Sequence, residues 1–161
     1  MMFPFFSNLR KSRSRLHVTT LFDQDTFYPA FQKTLRTCKR ELIIESPFIT
    51  MKRINLLLPE FRRLQQRGVK IIINTRPLEE HDDYLRGQAE EAIELLLDMD
   101  VKIFFTGGHH RKLAIIDRRV LWEGSLNILS QNDSCEIMRR IESVELALEM
   151  INFVKSLRYM I

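Results

Sequence analysis

Apolar positions along this chain change period several times, and each change marks an element. Phe27, Phe31, Leu35 and Cys38 recur at helical spacing within residues 25–39, with Asp25 as the expected N-cap. ELIIESPF (residues 41–48) is a continuous apolar run bounded by polar residues and predicts a buried strand. Helical spacing returns at Ile54, Leu57, Leu58, Phe61 and Leu64; Pro59 is expected to break or restart that helix and Gly68 to end it. VKIIINT (69–75) predicts a second strand, and residues 88–99 a helix with Ala89, Ala92, Ile93 and Leu96 on one face. VKIFFT (101–106) is a third strand. LAII and VLW then flank Asp117-Arg118-Arg119, which predicts a hairpin, followed by a strand over 135–141 and a closing helix over 143–158. This order predicts an α/β fold, a mixed β-sheet with helices on both faces. The polar stretch RPLEEHDDYLRGQ (76–88) reads as a surface connection.

The hairpin carries the chemistry. HRKLAIIDRRVLWEGSLN holds His110, Lys112, Asp117, Gly124, Ser125 and Asn127 in the string His-x-Lys-x4-Asp-x6-Gly-Ser-x-Asn. A neutral imidazole can attack phosphorus, an ammonium can hold phosphoryl oxygens, and Ser and Asn add hydrogen bonds. In an extended segment His110 and Lys112 share a face, whereas Asp117, at an odd offset, faces the other way. Asp117 is therefore expected to support the turn rather than react. Folding back at residues 117–119 would bring the His/Lys pair and the Ser/Asn pair to one end. Taken singly, an exposed His, a Lys or a Gly-Ser turn is unremarkable; the joint spacing is what points to phosphodiester chemistry. His109, beside the motif, reads as a neighbouring exposed residue or a substrate contact. His81 with Asp82 and Asp83 lacks the fixed face that a metal needs, so no metal site is expected.

The string resembles the HKD motif of the phospholipase D superfamily, which includes lipid phosphodiesterases, phosphatidyltransferases and nucleases. The resemblance covers roughly residues 21–161 and implies a phospholipase D-like domain. It implies a displacement at phosphorus that needs neither metal nor cofactor. One motif histidine forms a phosphohistidine, a second protonates the leaving oxygen, and water completes the hydrolysis. By position His110 matches the reacting histidine, Lys112 the phosphate-binding lysine, and Ser125 and Asn127 the supporting polar pair. The family's acidic residue, which orients the histidine through its second ring nitrogen, matches Glu136, with Asp133 as the alternative.

Length and charge extend this reading. The 161 residues suffice for one core and hold one motif, so a catalytic protein of this kind is expected to be a homodimer with a composite site. Residues 1–20 contain Arg10, Lys11, Arg13 and Arg15 and no acid. The remaining bases balance the 21 acids, so this expected basic arm carries the whole net charge of +4. Residues 21–161 are expected to form a single domain. Arg111, Arg118, Arg119, Arg139 and Arg140 flank the motif segments and are candidate substrate contacts for a polyanion. Nothing approaches the ~20 apolar residues of a membrane span. MMFPFF precedes the basic run, reversing the order of a secretory signal. Cys38 and Cys135 form no disulfide framework and read as buried or partly buried thiols. A cytoplasmic location is expected. The function expected is a nuclease acting on DNA, or on RNA, with nucleic acid and a second copy as partners and a helicase or restriction partner left open. A lipid phosphodiesterase or phosphatidyltransferase, and a non-catalytic nucleic-acid-binding domain, are the alternatives.

Overall fold

The computed structural model describes residues 17–158, with side chains through residue 155. One seven-stranded mixed sheet organises it. The strands are β1 (Val18–Asp23), β2 (Glu41–Glu45), β3 (Lys70–Thr75), β4 (Lys102–Phe105), β5 (Leu113–Ile116), β6 (Val120–Gly124) and β7 (Ile137–Glu142). Their order across the sheet is β1-β7-β6-β5-β2-β3-β4. β2, β3 and β4 are parallel, whereas β5, β6, β7 and β1 pair antiparallel. β2 is the seam, bonded to β3 on one side and to β5 on the other. Helices α1 (Phe27–Leu35), α2 (Met51–Gln66) and α3 (Asp83–Asp98) share one apolar core with the sheet. The other face packs Ile43, Leu113, Ile115, Leu121 and Ile141 against Ala147, Ile151 and Val154 of α4 (Val144–Arg158). Helices thus cover both faces, as the alternating pattern predicts.

Several boundaries differ from expectation for identifiable reasons. α2 continues through Pro59 instead of breaking. Ile54, Leu57, Phe61 and Leu64 lie on both sides of the proline and are fully buried. Their burial, about 1.5–3 kcal/mol each, outweighs the roughly 3 kcal/mol cost of an internal proline. Gln32 also donates to the Leu56 carbonyl at 3.1 Å, within the turn that the proline disturbs. Gly68 ends the helix as expected, at φ 73°. Asp25 does not cap α1; Asp23 accepts from the amides of Asp25 and Thr26 and shapes that entry. α3 starts inside the segment read as a surface connection, because Asp82 caps it by accepting from the Leu85 amide at 2.8 Å. β1 has no predicted counterpart. It begins at Val18, inside the segment read as an arm, while residues 1–16 of that arm lie outside the described residues. Cys38 is buried and its thiol is pushed up to about 12, chiefly by burial and then by Asp117; Cys135 is exposed, against expectation. No helix among the described residues is long and apolar enough to cross a membrane.

Candidate active site

The carboxyl ends of β2, β3 and β4, the start of β5, the end of β6 and the start of β7 meet along one edge of the sheet. Antiparallel pairing of β2 with β5 places Glu45 opposite Leu113, and pairing of β5 with β6 places Leu113 opposite Glu123. The Gly124 amide donates to the Lys112 carbonyl at 3.3 Å. His110-Lys112 and Ser125-Asn127 are therefore neighbours at one end of a hairpin, as the spacing predicts.

The loop from β4 to β5 alternates faces. His109 is buried and Arg111 turns inward, whereas His110 is exposed and Lys112 is half-buried. The Lys112 ammonium donates to the His110 carbonyl at 2.7 Å, which leaves its other protons available. Burial lowers the Lys112 pKa; Glu136 opposes that shift and Arg76 adds to it. The loop is held from below. Gly108, at φ 66°, donates its amide to the Glu80 carboxylate at 2.9 and 3.1 Å. Arg76 donates Nε–H to the His109 carbonyl at 2.9 Å, and its Nη2 stands 2.6 Å from His110 Nε2.

Gly124, Ser125 and Asp117 each have a structural reason for their identity. A Cβ on Gly124 would lie 2.0 Å from the Ile137 carbonyl oxygen, so only glycine allows β7 to approach β6 there. Ser125 completes that junction: its amide donates to Ile137 O at 2.9 Å and its Oγ accepts from the Ile137 amide at 3.0 Å. Asn127 is half-buried, and its Oδ1 has no hydrogen-bond partner among the described residues. The turn that follows is pinned by Tyr28 OH to Ile128 O at 2.9 Å, and by the Leu129 amide to Ser46 Oγ at 3.1 Å. Glu136 accepts from Ser134 Oγ at 2.7 Å and faces Lys112 electrostatically; Asp133 is exposed. Asp117 sits at the far end of the hairpin. Burial would raise its pKa, but bonds from the amides of Lys39, Arg40 and Glu41 hold it below the usual carboxylate range. It pins the entry to β2, in keeping with a structural role.

The arginines divide. Arg139 is exposed, donates to Thr19 at 3.1 Å, and lines a groove of about 560 Å³ shared with Lys112 and Ser125. Arg118 and Arg119, expected as substrate contacts, lie at the opposite end of β5, paired with Glu41 and Glu142. Arg140 pairs with Glu142 at 3.4 Å, away from the motif. Arg111 pairs at 2.9 Å with Glu45, a carboxylate with no solvent exposure. These four form ion pairs within the fold, and Arg111 also lines the groove beside Lys112. His109 is also corrected: it is 5% exposed, and burial lowers its pKa to about 4. The residue missed from sequence is Arg76. Its position directly after β3, at the carboxyl edge where open α/β sheets bind ligands, was the available signal.

The sequence matches the family described as cardiolipin synthase, PLD-like domain, over residues 31–158. No curated protein matches it. Among solved structures, Nuc, a phospholipase D family member from Salmonella typhimurium, is similar with a TM-score of 0.72 at 13% identity, covering 89% of this chain and 95% of Nuc. NucT from Helicobacter pylori gives 0.71 at 18% identity, covering 88% and 95%. TrmBL2, an archaeal chromatin protein with a novel mode of DNA binding, gives 0.61 at 12%, covering 92% of this chain and 54% of TrmBL2. Likenesses at these identities establish the fold. With the family match spanning most of the sequence and enclosing the whole His110–Asn127 string, the chain belongs to the phospholipase D superfamily.

Proposed function

We propose that this protein is a phosphodiesterase that cleaves nucleic acid, DNA or RNA, through a phosphohistidine on His110, in the composite site of a homodimer. The observation that carries this reading is the exposed His110 ring with Lys112 and Arg76 beside it. A nucleophile and two cations meet there on one open edge. His110 Nε2 attacks phosphorus, forming an N–P bond as the P–O bond to the leaving group breaks. The leaving oxygen takes a proton from the imidazolium of the second copy's His110. Water then attacks the phosphohistidine, giving its proton to that imidazole, and the N–P bond breaks. Lys112 stabilises the charged phosphoryl oxygens throughout, and Glu136 orients a reacting imidazole. No bound metal takes part in these steps.

A nucleic-acid substrate is supported by the cations that rim the site. Arg139 lines the groove beside Lys112, and Lys52 lines a second cleft of about 280 Å³ that reaches Asn127. The fold neighbour TrmBL2 binds DNA, and the basic residues 10–15 add charge. A phospholipid substrate is the second reading, favoured by the exposed Leu21, Ile137 and Phe153 around the Lys112 groove. The test is a panel of single- and double-stranded DNA, RNA and anionic phospholipid vesicles, each in excess chelator, with His110→Ala in parallel. Nucleic acid should be cut by the wild type and left intact by the variant. Turnover that vanishes with chelator removes the metal-independent mechanism; turnover of lipid alone transfers the assignment to the second reading.

A further inference from the structure

We propose that Arg76 is a second phosphate-binding catalytic residue, which rests on the attacking nitrogen of His110 and passes to a phosphoryl oxygen when substrate arrives. This rests on the phosphohistidine reading above. A guanidinium only donates hydrogen bonds and stays charged at working pH. The 2.6 Å contact between Arg76 Nη2 and His110 Nε2 therefore requires Nε2 to present its lone pair, with the ring proton on Nδ1. The same lone pair would form the N–P bond. While Arg76 holds it, the nucleophile is oriented, in the correct tautomer and occupied.

The surroundings let the end of this side chain move while its stem stays. Nε is bonded to the His109 carbonyl at 2.9 Å and stands 3.5 Å from Glu80. The guanidinium carbon lies 5.2 Å from the centre of the Phe48 ring, and the side chain is 15% exposed. Nη2 touches the atom that attacks, so a phosphorus centre about 3–3.5 Å from Nε2 would bring a non-bridging oxygen within reach of the same N–H. Exchange of partners frees the lone pair only when a phosphate is present to take the donor. Lys112 matches the single charge that a phosphodiester carries on arrival. Arg76 meets the charge that builds on the phosphoryl oxygens as the N–P bond forms.

The experiment compares Arg76→Ala, Arg76→Lys and His110→Ala with wild type on bis(4-nitrophenyl) phosphate. Imidazole ¹⁵N spectra of the free proteins are recorded in parallel. Arg76→Ala should lower kcat roughly 10²–10³-fold, the scale for removing one preorganised donor, with a smaller change in KM. Arg76→Lys should recover part of that loss, because it restores the charge without the planar fork. In wild type one His110 of each pair, the nucleophile, should show Nε2 as an unprotonated acceptor, and that resonance should move in Arg76→Ala. Wild-type turnover by Arg76→Ala while His110→Ala is inactive overturns the role of Arg76 and leaves the phosphohistidine reading standing. A proton on Nε2 of every His110 in the free wild type overturns it as well, whether or not the alanine variant folds. Wild-type turnover by His110→Ala overturns the parent reading and this proposal with it.

Discussion

His109 and His110 are adjacent in sequence and opposite in environment, and the difference has a thermodynamic signature. Both ring nitrogens of His109 are buried without a hydrogen-bond partner among the described residues, and burial holds its pKa near about 4. In the unfolded chain the same imidazole titrates at about 6.5. The unfolded chain therefore takes up a proton first as pH falls, so this residue's contribution is intact above about pH 6.5 and is lost as pH drops towards 4. Burial shifts His81 in the same direction. A His109→Gln variant should flatten the fall in Tm between pH 6.5 and 4, a change of up to roughly 3 kcal/mol across that window. An unaltered pH profile would place the titrating group elsewhere. Glu45 supports the same loop from beneath: Arg111 Nε reaches its Oε2 at 3.0 Å, and Asn74 donates to it at 2.8 Å. Glu45→Ala leaves Arg111 without that carboxylate and should cost about 3 kcal/mol in urea unfolding. His110, Lys112, Ser125 and Asn127 were legible because their meaning lies in local spacing. Arg76 and Glu45 act through partners 34 and 66 positions away, and no periodicity reports that.

Elements repeat the lesson at a larger scale. Strands with continuous apolar runs, β2 and β3, and helices with one apolar stripe declare themselves in sequence. β1 does not, because five of its six residues are exposed on an edge and burial imposes no pattern on them. Its register comes instead from pairing with β7, from Val18 opposite Glu142 to Asp23 opposite Ile137. The start of α3 was hidden for another reason. None of its first six residues is buried, so Asp82 as a cap was the sign, ahead of any apolar repeat. Gly124 shows how an element boundary becomes part of a site. Gly124→Ala should push β7 from β6, cost about 2–3 kcal/mol, and reduce turnover by displacing Ser125, whose Oγ depends on the Ile137 amide. Wild-type stability and turnover in that variant would show that the junction yields without consequence.

At the scale of the whole molecule, the proposed composite site would make activity a property of pairs. If the reacting set requires His110 from two copies, mixing wild type with His110→Ala at constant total protein should lower activity as the square of the wild-type fraction, once subunits have exchanged. A linear fall would mean that each chain acts alone. The seam at β2 adds a dimension of time. The parallel half, β2 to β4, and the antiparallel half, β5 to β7, can each begin to form from nearby segments, but Arg76 and the loop that carries His110 belong to the first, whereas Ser125 and Asn127 belong to the second. The two sets meet only after β5 docks on β2. A refolding chain should thus recover its backbone signal first and its competence last, with a final delay that shortens as protein concentration rises. Nascent or half-folded copies would carry every reacting residue and still be harmless to a phosphodiester.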